Sequence, residues 1–177
     1  MNSKNVALSA VSAGLVSLFL LFGAYIEMAD VFTVVIASVF VLLPLYYNSY
    51  KSSLLAYLVG GIIAFMCSGF NLMSLVFPAY FTFFGVYPIV KSFIVQKRFN
   101  KYACFVVGLV WFVLVAIGLY FYYTAFMNMP ITDIPEWLAK YVLIIVAIIA
   151  IIFFIVYDRF IVVVRRVIDY YLRRIIK

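Results

Sequence analysis

Residues able to do acid–base or metal chemistry are few in this chain. The sequence has no histidine, two cysteines and six acidic residues among its 177 residues. Cys67 and Cys104 lie in or near different apolar stretches, and we expect them on opposite sides of a bilayer. A structural zinc site needs about four Cys or His ligands, more than this chain offers. We therefore predict no metal, no other cofactor and no disulfide.

Ionisable side chains are also missing from the predicted middle of every long apolar stretch. Ion-coupled pumps, proton relays and voltage sensors place such groups at membrane depth. Intramembrane proteases need a metal, paired aspartates or a serine activated by a base, and none of these patterns is visible. A glycine-rich phosphate-binding loop is lacking too. The sequence thus predicts a protein that binds or assembles, without enzymatic activity of its own.

The composition indicates a membrane protein. Hydrophobic residues make up 69%, charged residues only 11%, and the mean hydropathy is +1.24, whereas soluble domains carry about 25% charged residues. The net charge of +7 comes from loops and a tail, so we expect contact with anionic lipid and no nucleic-acid partner. We predict a multi-pass protein of the bacterial cytoplasmic membrane, with a membrane domain at 1–157 and a helical tail at 158–177.

Six apolar stretches can be assigned as membrane spans, since a helix needs about 20 residues to cross roughly 30 Å of hydrocarbon. They are Val6–Tyr25, Val31–Tyr47, Leu54–Ser68, Leu72–Val90, Tyr102–Phe126 and Trp137–Tyr157. All but one of the 13 lysines and arginines then fall on one side, which the positive-inside rule makes cytoplasmic. The fold class we predict is an all-α membrane protein of six transmembrane helices with both termini cytoplasmic. Five or seven spans would place one basic cluster outside.

The fourth span combines three helix-bending residues, Pro78, Gly85 and Pro88, with a basic collar that begins at Lys91. Proline removes a backbone donor and clashes with the preceding turn. In lipid, this defect is tolerated where neighbouring helices or a cavity cover it. We predict that this span forms a wall of an internal site; the alternative is a kinked span with a structural role only.

The tail follows the sixth span without any glycine or proline from Glu136 to Lys177. One helix of that length would be about 60 Å long, twice the hydrocarbon thickness. We therefore expect the chain from Asp158 on to project into the cytoplasm or to bend onto the membrane surface, as a basic amphipathic helix that contacts lipid or a partner. Ile161, Val164, Ile168, Tyr171 and Ile175 form its apolar seam. Its basic contact residues are Arg159, Arg165, Arg166, Arg173 and Arg174.

The first span has small residues at four-residue spacing on its amino-terminal half. Ala10 precedes Gly14, and Ser9 precedes Ala13. Small residues at this spacing let another helix backbone approach closely. The face can serve to dock a partner or to pack against a neighbouring span of the same chain.

Together these features resemble the substrate-capture (S) component of energy-coupling-factor transporters. That family has six short spans, both termini inside, an Ala-xxx-Ala signature in span one and an ordered outer loop before span six. Here Ala10-xxx-Gly14 and Ser9-xxx-Ala13 stand in place of the signature. The phrases FGVYPIVK at 84–91 and YDR at 157–159 also resemble an uncharacterised S-component-like family of Gram-positive bacteria.

The resemblance implies a subunit that holds a small, vitamin-like molecule near the outer face. It would dock through Ala10, Ala13 and Gly14 onto a membrane coupling subunit that two ATPases drive. Outer-side groups able to recognise a ligand are Tyr25, Asn71, Tyr123, Asn128, Asp133, Glu136 and Trp137; each could instead be a loop cap or an interfacial aromatic residue. The competing hypothesis is a structural or assembly subunit of a cell-envelope membrane complex.

Overall fold

The computed structural model describes residues 3–47, 49–71, 74–97, 101–127 and 141–175. Within these ranges there are helices and turns and no strand. The helices are α1 (Ser3–Tyr25), α2 (Asp30–Phe40), α3 (Tyr50–Cys67), α4 (Val76–Ala79), α5 (Tyr87–Gln96), α6 (Lys101–Met127) and α7 (Val142–Ile175). A π turn at Tyr80–Phe84 joins α4 to α5, and 3-10 turns at Glu27–Ala29 and Leu43–Tyr47 flank α2.

Within the described residues, five helical segments are long and apolar enough to cross a membrane. They are Asn5–Tyr25, Tyr50–Cys67, Val76–Gln96, Tyr102–Ala125 and Val142–Ile168. The predicted second span corresponds to a shorter apolar segment, Asp30–Leu45. The prediction of an all-helical, multi-pass membrane protein is therefore confirmed at this level, with five helices of spanning length.

Helices α1 and α3 lie side by side and run in the same direction. Near the start of both, the Ser9 hydroxyl donates to the Ser52 carbonyl over 3.0 Å. Halfway along both, a Cβ added to Gly60 would lie 2.9 Å from the Ala13 carbonyl oxygen. This close approach requires a glycine on α3 and places the two helix backbones almost in contact.

Helix α2 packs along α1 and runs in the opposite direction. The Ser12 hydroxyl, near the middle of α1, donates over 2.9 Å to the carbonyl of Phe40, the last residue of α2. At the other end, Gly23 late in α1 packs directly against Thr33 early in α2. The first three apolar segments of the chain thus alternate in direction.

The remaining segments continue this alternation. Segment Val76–Gln96 runs opposite to α3, because Phe77 packs on Phe65 near one end, with ring centroids 5.2 Å apart, and the Tyr50 hydroxyl lies 3.4 Å from the Ser92 carbonyl near the other. Helix α6 reverses again, and α7 runs parallel to Val76–Gln96. The contacts that fix these directions are Trp111 with Thr82, Gly108 with Tyr87, Phe154 with Phe83, and Asp158 with Lys91.

Aromatic rings fill the space between Val76–Gln96, α6 and α7. Phe83 lies at the centre, with its ring centroid 4.6 Å from Phe112, 4.9 Å from Tyr87 and 6.0 Å from Phe154. Phe83 and Phe154 are almost completely buried. Most of these ring pairs are tilted or edge-to-face, the geometry that the charge distribution of aromatic rings favours. The rings therefore fix the spacing of these three elements.

Helix α7 is one continuous rod of 34 residues, about 51 Å long. It passes without a break through Asp158, where the sequence placed the boundary between membrane domain and tail. Asp158 and Ile161 are still buried in the bundle, and Val164 and Ile168 pack against its core. The first turns of the predicted tail thus pack on the bundle, while the division of the chain at Asp158 and the position of the tail relative to the membrane stay predictions.

Candidate functional site

Backbone donors in the π turn and just after it miss their usual acceptors. In an α-helix each N–H donates to the carbonyl four residues earlier. Here the Gly85 N–H donates to the Tyr80 carbonyl over 2.9 Å, the Val86 N–H donates to the Phe83 carbonyl over 3.1 Å, and Pro88 has no N–H. Three carbonyls are therefore left without their usual donor, those of Phe81, Thr82 and Phe84.

Side chains from three other helices reach these carbonyls. The Tyr57 hydroxyl donates to Phe81 over 2.9 Å, the Trp111 indole N–H to Thr82 over 3.1 Å, and the Tyr157 hydroxyl lies 3.4 Å from the Phe84 oxygen. The single proton of Tyr157 is shared with the Ser38 hydroxyl oxygen at 3.0 Å. An unpaired carbonyl is costly away from water, so the broken span ties α3, α6 and α7 together.

Gly85 has a steric role at the same place. A Cβ there would overlap the ring of Tyr57, so only glycine lets Tyr57 come close enough to bond the freed carbonyl of Phe81. The residue types predicted to bend the fourth span are thus found at a real distortion. Turns of the π type often lie at functional sites.

An ionic cluster lies on α5 just past the break. The Lys91 ammonium forms an ion pair with the Asp158 carboxylate and also donates to the Asp158 carbonyl over 2.9 Å. The Tyr87 hydroxyl donates to the same carboxylate. The side chains of Lys91 and Asp158 are only 19% and 13% exposed. Taking charges out of water is costly, and these three mutual contacts offset that cost.

Both members of this pair lie inside segments of spanning length, although the sequence placed Lys91 in a cytoplasmic collar and Asp158 in the tail. The spacing of Phe154, Asp158 and Ile161 could have indicated their common face on one helix, since residues three and four apart are neighbours. The partner could not be found in this way, because Lys91 is 67 residues away along the chain.

Among the described residues, no three of Cys, Asp and Glu come together as a metal site.

Because α5 and α7 run in the same direction, the level of the ionic cluster along them can be compared with that of the neighbouring arginines. Lys91 lies five residues before the end of α5 at Gln96, which is about 8 Å along a helix. Arg165 and Arg166, seven and eight residues after Asp158, are therefore near the level of that end; Arg165 is half-buried and Arg166 exposed, as is Arg159. The side chains of Arg173 and Arg174 are outside the described part.

The small-residue face of α1 is divided by the fold. Ala13 is buried against α3, whereas Ala10 and Gly14 are exposed. A Cβ added to Gly14 would meet no atom within 4 Å. Ala13 thus packs within the chain, and only Ala10 and Gly14 are left on a surface that another helix could approach.

The structure does not bring together the residues that the sequence nominated for ligand binding. Tyr25 is 70% exposed at the end of α1, Asn71 is half-buried in the turn after α3, and Tyr123 is half-buried on α6. Asn128, Asp133, Glu136 and Trp137 lie outside the described residues. A cleft of about 210 Å³ lies between the segment Val76–Gln96 and α6. Its lining is Pro78, Thr82, Val115, Gly118, Leu119 and Tyr122.

This cleft and the ionic cluster lie at opposite ends of the broken span. The cleft reaches from Pro78 to Thr82 in the π turn, and the cluster surrounds Lys91 on α5. The phrases 84–91 and 157–159, which carry part of the resemblance, are in direct contact through the cluster. Comparison of the chain with known protein families, with curated proteins and with solved structures found no match.

Proposed function

We propose that this chain is the substrate-capture subunit of an ATP-driven importer of a small, vitamin-like molecule in a bacterial cytoplasmic membrane. A separate coupling subunit and two ATPases would supply the energy. The observation that carries the proposal is the parallel run of α1 and α3. Two spans that point the same way require the segment between them to return across the membrane, which supports six crossings and the architecture that the resemblance implies.

The returning segment, Asp30–Leu45, has nearly the length for this. At about 1.5 Å per residue in its α part and about 2.0 Å in its 3-10 part it extends roughly 25–30 Å. A short span is accommodated by local thinning of the bilayer or by neighbouring helices, and α1 and the stretch 76–84 pack against this one. Six alternating crossings put both ends of the chain on one side.

The basic residues support assigning that side to the cytoplasm. Lys51 lies at the start of α3, Lys97 directly follows α5, and Lys101 begins α6. The alternating directions bring all three to the same end of the bundle, as the positive-inside rule predicts for a cytoplasmic face. Ala10 and Gly14 lie on the half of α1 near this end, where a coupling subunit would dock.

An assembly subunit of a cell-envelope complex is the second candidate. It is favoured by the ring-filled interior around Phe83 and by the pairing of Lys91 with Asp158, since neither leaves a polar group free for a ligand. In the described residues of the outer half, the cleft beside Gly118 is a place for a ligand. Its lining is almost wholly apolar, so it presents few groups for selective recognition.

The proposal can be tested by placing the same substitution at two glycines that both have open surroundings. Neither Gly14 nor Gly118 has an atom within 4 Å of an added Cβ, so Leu at either position should be accommodated by the fold. The tagged chain would be co-expressed with the coupling subunit and ATPases of its own organism. If capture is the function, Gly14→Leu, alone or with Ala10→Leu, reduces both co-purification and uptake at least tenfold, whereas Gly118→Leu leaves co-purification intact.

The two candidates differ in the partner recovered with the unmodified chain. Co-purification of the coupling subunit with its ATPases supports capture. Recovery of an envelope synthase or regulator instead, with no coupling subunit bound even at high expression, would support the assembly role. Loss of the coupling subunit to an equal degree in Gly14→Leu and Gly118→Leu would argue against docking through α1.

A further inference from the structure

The cleft between Val76–Gln96 and α6 opens on the outside of the bundle. Both of its walls belong to segments of spanning length, and Thr82 and Gly118 are exposed on them. Along α6 the lining runs from Val115 to Tyr122, a distance of about 10 Å. Tyr122 is close to the end of α6, on the side of the bundle opposite the basic residues. The cleft therefore extends from that end toward the middle of two membrane-spanning segments.

The polar groups of these walls already have partners within the chain. The Thr82 hydroxyl donates over 2.6 Å to the Pro78 carbonyl, and the Thr82 carbonyl accepts from the Trp111 indole over 3.1 Å. Tyr122 also interacts with another residue of the chain. An ordered water needs about two to four polar partners, and the described lining has few to give. The cleft therefore suits an apolar group better than water.

The size and shape of the cleft fit one hydrocarbon chain. An apolar cavity of about 150 Å³ takes up benzene, and this cleft has about 210 Å³. Val115, Gly118 and Tyr122 are three and four residues apart, so they lie on one face of α6. A Cβ added to Gly118 would meet no atom within 4 Å. The glycine thus leaves a groove along the helix, in which a narrow chain fits and a charged headgroup would find no partner.

The exposed face of α3 differs from this groove. There Leu54, Leu58 and Ile62 follow one another at four-residue spacing, and each is at least 40% exposed. Such a row of large side chains touches a lipid chain from one side only, whereas the cleft walls touch it from two. Each added pair of atoms in contact gains dispersion energy, so a chain is held more tightly in the cleft than on α3.

We propose that the cleft is a lipid site, which holds one acyl chain of a phospholipid from the leaflet opposite the basic end. The chain lies along α6 across Gly118, between Val115 and the wall formed by Pro78 and Thr82, and the headgroup lies beyond Tyr122. The site is a property of this chain by itself and does not depend on the importer role.

Photocrosslinking in proteoliposomes tests the lipid site. Full-length protein would be reconstituted with increasing mole fractions of a phosphatidylglycerol that carries a diazirine in one acyl chain, and mass spectrometry would quantify the labelled peptides. We expect labelling of residues 78–82 to saturate at a low mole fraction, while labelling of the α3 face at 54–62 keeps rising in proportion to the probe. Proportional labelling of both regions would show ordinary lipid contact and overturn the proposal.

Filling the cleft should remove the saturable labelling selectively. Gly118→Leu and, from the inner end, Val115→Phe place a larger side chain in the cleft, so each should lower labelling of 78–82 at least fivefold with the α3 face unchanged. Gly14→Leu, at the other glycine with open surroundings, is the matched control and should change neither region. If neither cleft variant acts selectively on 78–82, the acyl chain does not lie in the cleft.

A fatty acid with the same diazirine distinguishes the source of the chain. We expect it to label 78–82 without saturating at the mole fraction that suffices for the phospholipid. If the fatty acid alone gives the saturable labelling, the occupant is a free apolar molecule and the assignment to a phospholipid is wrong.

Discussion

At the scale of single residues, the adjacent side chains Tyr157 and Asp158 join α7 to three other elements. The Tyr157 hydroxyl lies between the Ser38 oxygen on α2 and the Phe84 carbonyl in the π turn. Asp158 accepts from Lys91 on α5. Two consecutive residues thus fix both the rotation of α7 and its height against its neighbours.

The Lys91–Asp158 pair should show strong coupling in a double-mutant cycle. Asp158→Asn leaves the Lys91 ammonium unpaired, and losing one partner of a buried pair costs about 3 kcal/mol or more. Lys91→Met should cost a similar amount, and the double variant less than the sum of the two, because neither charge is then left alone. Reversible unfolding in detergent measures all three. Strictly additive losses would mean that the two charges do not interact.

The hydroxyl group of Tyr57 should contribute to the stability of the fold, because it donates to the Phe81 carbonyl over 2.9 Å. Tyr57→Phe leaves the Phe81 carbonyl without a donor, and an unsatisfied buried carbonyl costs about 1–3 kcal/mol. Tyr120→Phe on α6 is the matched control, since Tyr120 is half-buried and a change away from such networks usually stays within about 0.5 kcal/mol. The same unfolding assay compares them; equal losses would count against the carbonyl role of Tyr57.

The sequence predicts the break at this scale but not the cluster. Proline and glycine bend a helix through their own covalent structure, so Pro78, Gly85 and Pro88 carry that information locally. The partner of Asp158 depends on how α5 and α7 run against each other, and no local pattern contains this. For the same reason the sequence placed Lys91 in a basic collar and identified no partner for it.

At the scale of elements, span positions follow from hydropathy, and their ends follow from contacts. The predicted second span to Tyr47 stops being α-helical at Phe40 and continues as a 3-10 turn around Pro44, which cannot donate to a preceding carbonyl. Helix α3 begins four residues before the predicted start at Leu54. This added turn packs on the preceding segment, since Ser53 is fully buried and its hydroxyl donates over 2.6 Å to the Val41 carbonyl.

Alanine at two glycines should change stability in opposite directions. In Gly85→Ala the new methyl group overlaps the Tyr57 ring, and overpacking of this kind typically costs about 1–3 kcal/mol. In Gly118→Ala the methyl group enters open space on α6, and replacing a helical glycine stabilises by up to about 1 kcal/mol. Thermal unfolding in detergent should therefore lower the midpoint for the first variant and not for the second. A tolerated Gly85→Ala would contradict the close approach of Tyr57.

At the scale of the whole molecule, the directions of the described helices bear on how many times the chain crosses the membrane. Charge asymmetry in the sequence predicts six crossings, and five segments of spanning length alone do not decide between five and six. The contacts that bear on this choice are those of Ser9 with Ser52 and of Ser12 with Phe40. Together with the close approaches at Gly60 and Gly23 they make α1 and α3 parallel and α2 antiparallel to α1; the number of crossings stays a prediction.

The topology can be tested with single cysteines at the two ends of Asp30–Leu45. In protein with Cys67→Ala and Cys104→Ala, Ile26→Cys follows α1 and Lys51→Cys lies at the start of α3, both at exposed positions. If Asp30–Leu45 crosses the bilayer, an impermeant maleimide added to intact cells labels Ile26→Cys, and Lys51→Cys reacts only after the membrane is opened. In a separate variant in which only Cys104→Ala is made, the native Cys67 at the far end of α3 should behave like Ile26→Cys. Labelling of Ile26→Cys and Lys51→Cys from one side would mean that the segment stays in one leaflet, with α1 and α3 entering from opposite faces, and the parallel contacts of Ser9 and Gly60 could not then exist in the membrane.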